Sequence, residues 1–175
     1  LGIMKTFISK IGLSFITFLL VIVSVVTAQE RIAVIQNPNV VLLDPTNGSI
    51  IDPSFIDLTP LNPGTPKGIL QVLEEIWITD QLEDRIDRFD LTGAYLSSIT
   101  TGLDNIRGLE IVNNEVWVAN AGSNNGAPGN AIVRFDLTGN NLGFFSTSGS
   151  DSVFDIIDVG GEVYLSYIGG ETKIE

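Results

Sequence analysis

Between residues 66 and 99 the apolar residues fall in four short runs, Gly68–Leu73, Ile76–Asp80, Arg85–Asp90 and Tyr95–Ile99, and none keeps helical spacing. The stretch Ile76-Trp77-Ile78-Thr79 is rich in β-branched and aromatic residues, which fit a pleated, half-buried surface. Arg85-Ile86-Asp87-Arg88-Phe89 alternates polar and apolar positions, the two-residue period of a strand with one face in a core. Glu74-Glu75 separates the first two runs, and Asn113-Asn114 and Gly160-Gly161 stand at corresponding places further on. Short pairs of this kind suit tight hairpin turns. After residue 28 no stretch carries the period of an amphipathic helix of useful length. The pattern predicts an all-β domain.

The runs also recur. The hexapeptide "RFDLTG" stands at Arg88–Gly93 and again at Arg134–Gly139, 46 residues further on. Gly68 has a counterpart in Gly108, Trp77 in Trp117, and Asp80 in Asn120. A third copy opens at Phe154, with Tyr164 in the tryptophan position, 47 residues after Trp117. Part of an earlier copy survives around Asp44, which precedes Asp90 by 46 residues. Units of forty-odd residues, each holding four short strands, predict the blades of a β-propeller, each a four-stranded antiparallel sheet. The expected blades cover about residues 31–60, 66–100, 106–148 and 152–175, the last one cut short. Turn chemistry accounts for the repeated hexapeptide, since each third strand must enter the same Thr-Gly turn and glycine takes positive φ there.

The N-terminus differs in kind. Lys5 and Lys10 precede a run without charge from Ile11 to Gln29, with small residues at Val26 and Ala28. That pattern predicts a secretory signal helix over residues 1–28, cleaved after Ala28, in a protein sent to the periplasm, the cell surface or the medium. The competing expectation is a membrane anchor, the chain's sole route to a membrane. Residues 1–3 precede Met4, the only methionine, and read as sequence upstream of the true start. Without residues 1–28 the chain holds 7 basic and 21 acidic residues, a net charge of −14. Such a surface repels phosphate backbones, so nucleic acid is excluded as an expected partner.

The chain has no cysteine and no histidine. It therefore forms no disulfide, offers no thiolate to a metal, and lacks the commonest general base. No phosphate-binding glycine loop, GxSxG elbow or dinucleotide motif occurs. Asn47-Gly48-Ser49 is a glycosylation acceptor if the route of export is eukaryotic, and otherwise a turn. Trp77 and Trp117 could stack on sugars if exposed, but their matched positions point to packing between blades.

The order Lys/Arg-Gly-Ile/Leu, Ile/Val-Trp-Ile/Val with Asp80 or Asn120, and Arg-Phe-Asp with a Thr-Gly turn resembles the NHL-type repeat. It is also similar to the wider six-bladed group that includes SMP-30/gluconolactonase-like proteins. The likeness runs from about Val40 to the C-terminus. Trp77 and Trp117 replace the usual tyrosine, and Asp155 stands where the pattern has glycine. The resemblance implies a ring of six blades, whereas the 147 residues after the signal make little more than three. An incomplete propeller is therefore expected, completed by further chain or by association of copies.

Propellers place ligands at the central opening, where the innermost strands begin. Lys67 and Arg107 occupy that position, giving a cationic rim for an anionic ligand or a counterweight to acids such as Asp104 and Glu110. Asp80 and Asn120 end the second strands and carry oxygens of the kind that hold Ca²⁺. The loop Asn120–Asn130 is the longest and richest in Asn and Gly. No cofactor is required by any of this, and no catalytic residue can be assigned. The expected function is a binding or interaction module for a protein, carbohydrate or other small-molecule ligand. The alternatives are a calcium-dependent hydrolase, as the gluconolactonase resemblance implies, and a passive spacer in a cell-surface protein.

Overall fold

The computed structural model describes residues 30–147 and 151–169. The expected signal helix over residues 1–28 lies outside these residues. Among the described residues no helix is long and apolar enough to cross a membrane.

Four antiparallel sheets follow one another along the chain. The first holds three strands, β1 (Ile32–Gln36), β2 (Asn39–Leu43) and β3 (Ile50–Asp57), and a 3-10 turn at Thr59–Leu61 leads out of it. The second is a four-stranded meander of β4 (Pro66–Val72), β5 (Glu75–Asp80), β6 (Arg85–Asp90) and β7 (Tyr95–Ile99). The third repeats it with β8 (Ile106–Val112), β9 (Glu115–Asn120), β10 (Ala131–Asp136) and β11 (Asn141–Ser146). The fourth shows β12 (Ser152–Val159) and β13 (Glu162–Ile168). Pro53 lies on β3, an edge strand, beside a break in the ladder register, where a missing N–H costs least.

Strand alternation divides each sheet between two neighbours. Ile76, Ile78 and Phe89 face the first sheet, where they pack with Val40, Ile56 and Leu58. Trp77 and Ile86 point the other way and join Leu109, Val116, Val118 and Phe135 of the third sheet. On β9 and β10, Ala119 and Ile132 turn to the fourth sheet and meet Val153, Ile156 and Tyr167. Each inner sheet thus buries both faces. The phenylalanine of the hexapeptide always faces the preceding sheet, as Phe89 and Phe135 both do.

The hexapeptide can now be read residue by residue. Arg88 reaches across to β5 and grips Glu75 with Nε and Nη2, both at 2.8 Å. Glu75 also accepts the Trp77 indole N–H at 2.8 Å, and the Arg88 guanidinium lies 5.0 Å from the Trp77 ring centre. Arg134, Glu115 and Trp117 repeat these hydrogen bonds on β9 and β10. Asp90 Oδ1 accepts the Thr92 amide, the Thr92 hydroxyl and the Ala94 amide, closing the turn into β7. Asp136 does the same with Thr138 and Asn140. Gly93 takes φ +87, and a side chain there would strike the Phe55 carbonyl of the first sheet.

Two details differ from the sequence expectation. The first hairpin turns on Leu73-Glu74, with Leu73 at φ 53, and Glu75 already belongs to β5, where Arg88 and Trp77 hold it. The 46-residue spacing of the hexapeptides is also composite. Inner strands β4 and β8 start 40 residues apart, and the β9–β10 connection is six residues longer than the β5–β6 one.

Candidate functional site

Strands β4, β8 and β12 are the edge strands of successive sheets, and β8 packs against both of the others. They bring together three equivalent positions from three units. Lys67, Arg107 and Phe154 form one row, and Gly68, Gly108 and Asp155 the next. A recess of about 360 Å³ opens between the strands, lined by these six residues together with Ile69, Leu109, Glu110 and Ile156–Ile157. A larger recess of about 870 Å³ between the first two sheets is walled mainly by apolar groups such as Ile32, Phe55 and Leu70.

Arg107 dominates the smaller recess. It is 9% exposed. Its Nη1 donates to the Val153 carbonyl at 3.1 Å, and its guanidinium lies 5.8 Å from the Phe154 ring centre. Burial depresses its pKa. Among the described residues no carboxylate pairs with it or with Lys67. Neither acid suggested as a counterweight forms an ion pair with them, although Glu110 lines the same recess. Asp104 accepts the Asn124 amide at 2.6 Å, and Glu110 accepts the Ile111 amide at 2.8 Å.

Thr79 fixes the backbone that carries Arg107. Its hydroxyl donates to the Arg107 carbonyl at 2.5 Å and accepts the Gly68 amide at 2.8 Å. Gly68 is required at this crossing, because a Cβ there would lie 2.9 Å from the Arg107 carbonyl oxygen. At Gly108 the space a side chain would need is filled by the Asp155 carboxylate, which arrives from β12.

Lys67 and Arg107 therefore line one recess, and Asp80 and Asn120 stand outside its lining. Asp80 is 1% exposed and accepts four backbone amides, from Gly64, Thr65, Leu82 and Glu83, at 2.8 to 3.3 Å. Asn120 accepts the Asp104 amide at 2.8 Å and donates to the carbonyls of Gly122 and Gly129 at 2.8 and 2.7 Å. Both side chains close loops, and the long Asn120–Asn130 connection is folded upon Asn120. Among the described residues no group of three or more His, Cys, Asp or Glu side chains is placed to hold a metal ion. Trp77 is fully buried, and Trp117 packs edge-on against Phe145 at 4.9 Å.

Sequence reasoning did not single out Thr79, Phe154 or Asp155 as parts of a site. The break in repeat pattern at Asp155 was the available signal.

Comparison with solved structures shows the class of fold. The Pan2 WD40 domain of Neurospora crassa matches with a TM-score of 0.60, covering 84% of this chain and 43% of that one at 12% identity. The KlAtg21 chain solved with the coiled coil of AgAtg16 gives 0.51, with 80% and 46% covered at 16% identity. Regucalcin, a calcium-binding protein of Agrobacterium tumefaciens, gives 0.44, with 79% and 65% covered at 12% identity. The chain spans less than half the length of the first two. Successive face-packed antiparallel sheets together with the WD40 likeness define a β-propeller-type fold. No protein-family model matches the chain, and no curated protein matches it.

Proposed function

We propose that this chain belongs to an exported, NHL-like β-propeller that acts as a binding module, with its ligand seated where the innermost strands begin. The observation that carries this is Arg107, a buried guanidinium without a carboxylate partner among the described residues, lining a recess to which three sheets contribute. Burying a charge is costly unless it is paired, so a structure that keeps one beside an open recess favours a ligand there. The basic start, the uncharged run from Ile11 to Gln29 and the small residue Ala28 support export. The binding reading stands ahead of the hydrolase because Asp80 and Asn120 already use their oxygens to close loops.

A mixed library of small molecules, followed by amide chemical shifts, tests it. Perturbations should gather at residues 67–69, 107–110 and 154–157. Shifts confined to the apolar recess between the first two sheets would move the site. None at all would favour the passive spacer.

A further inference from the structure

We propose that the recess between β4, β8 and β12 takes a small organic monocarboxylate, gripped by Arg107, with Lys67 as a second cation and Phe154 as the wall for the ligand's apolar body. The proposal rests on the binding-module reading and gives it a ligand class.

A guanidinium carries five N–H donors in a planar fork. In Arg107 the Val153 carbonyl takes one bond, and among the described residues no acid completes the set. A carboxylate matches that fork with two parallel hydrogen bonds, and desolvation strengthens them. The volume of about 360 Å³ is that of a small-molecule site. Phe154 is 37% exposed and lines the recess with Ile69, Leu109 and Ile156, so the part of the ligand beyond its carboxylate meets apolar surface.

The acids set the number of charges. Glu110 and Asp155 line the same recess as Arg107 and Lys67. Each spends an oxygen on a backbone amide, of Ile111 and Ile156. A second negative group on the ligand would approach one of these carboxylates, which favours one negative end over a dicarboxylate or a phosphate dianion. The chain's overall charge of −12 does not prevent this, because salt screens charges beyond about 8 Å under physiological conditions.

Amide chemical shifts of the full chain, titrated with benzoate, benzamide, terephthalate and inorganic phosphate, test the proposal. Benzoate is expected to perturb residues 67–69, 107–110 and 154–157, with benzamide weaker by roughly tenfold or more. Terephthalate and phosphate should also bind more weakly than benzoate. Arg107→Lys keeps the charge but loses the fork, and should weaken benzoate by roughly tenfold. Lys67→Gln, at an exposed position, should weaken it several-fold without disturbing the fold. Equal binding of benzamide and benzoate, or unchanged benzoate affinity in either variant, overturns the monocarboxylate. Benzamide bound in the recess while benzoate is not leaves the binding module standing and removes this ligand class. Silence of the recess toward all four probes counts against both.

Discussion

Asp136 accepts from Asn140 and Thr138, through side chains and backbone alike, and these bonds hold its carboxyl well below the ordinary range. Asp90 is lowered by the Thr92 hydroxyl and then by the amides of Ala94, Thr92 and Gly93, and Asp44 by the Thr46 hydroxyl and amide. A carboxyl that is more acidic folded than unfolded stabilises above its unfolded pKa, near 4, and loses that contribution as pH falls toward its folded value. Asp136→Ala is therefore expected to lower the denaturation midpoint at neutral pH, and the gap to wild type should close below about pH 4. Urea titrations of both proteins at a series of pH values measure it, and a pH-independent gap would contradict the assignment. At Gly108 the issue is space. Gly108→Ala pushes a methyl into the Asp155 carboxylate and within 2.8 Å of its Cα. A loss of about 1–3 kcal/mol is expected in chemical denaturation, and the companion change Asp155→Gly should restore part of it.

Among the elements, the strands were largely legible in the sequence. The strand expected over Arg85–Phe89 appears as β6, but Ile86 and Phe89 are buried toward opposite neighbours, so both of its faces lie in a core where the alternation predicted one; the Asn113-Asn114 and Gly160-Gly161 pairs occupy hairpin turns at positive φ. What stayed hidden depends on register. The Arg88–Glu75–Trp77 cluster joins residues thirteen apart in sequence through cross-strand pairing, and period alone does not say which residues stand opposite. Glu75 shows the balance at such a cluster. Burial raises its pKa, but the Arg88 guanidinium and Trp77 indole outweigh it and leave the group below its ordinary value. For Lys67 and Arg107, the repeat marked equivalent positions, whereas the burial of Arg107, without an acid partner among the described residues, arises only when three sheets meet. The tryptophans separate in the same way. Trp77 lies wholly inside the core between the second and third sheets, while Trp117 is only partly buried beside Phe145. Trp77→Ala should cost about 3–5 kcal/mol and Trp117→Ala less, both read from the denaturation midpoint.

At the scale of the whole molecule, stability and address are separate questions. Asp80 gathers four amides where the second sheet begins, so Asp80→Ala leaves four partly buried donors without their acceptor and should cost about 1 kcal/mol or more. The loss is expected to be the same with and without millimolar calcium, by thermal unfolding; a calcium-dependent loss would return Asp80 to the list of metal ligands. For the address, the proposal of export predicts a mature product that begins at Gln29 on N-terminal sequencing, and retention of Lys5 and Lys10 would instead indicate an anchor. The Thr79 hydroxyl joins both questions to the architecture, because it fastens the amide of one inner strand to the carbonyl of the next. Thr79→Val breaks both bonds and should loosen Arg107 without touching the recess lining. The second and third sheets are consequently fastened as a pair, whereas Ala119 stands at the Thr79 position of the third sheet and offers no hydroxyl to the fourth. A unit transplanted beside a stranger would bring half of a clasp, so shuffling these modules one at a time would tend to erase the recess while leaving every strand intact.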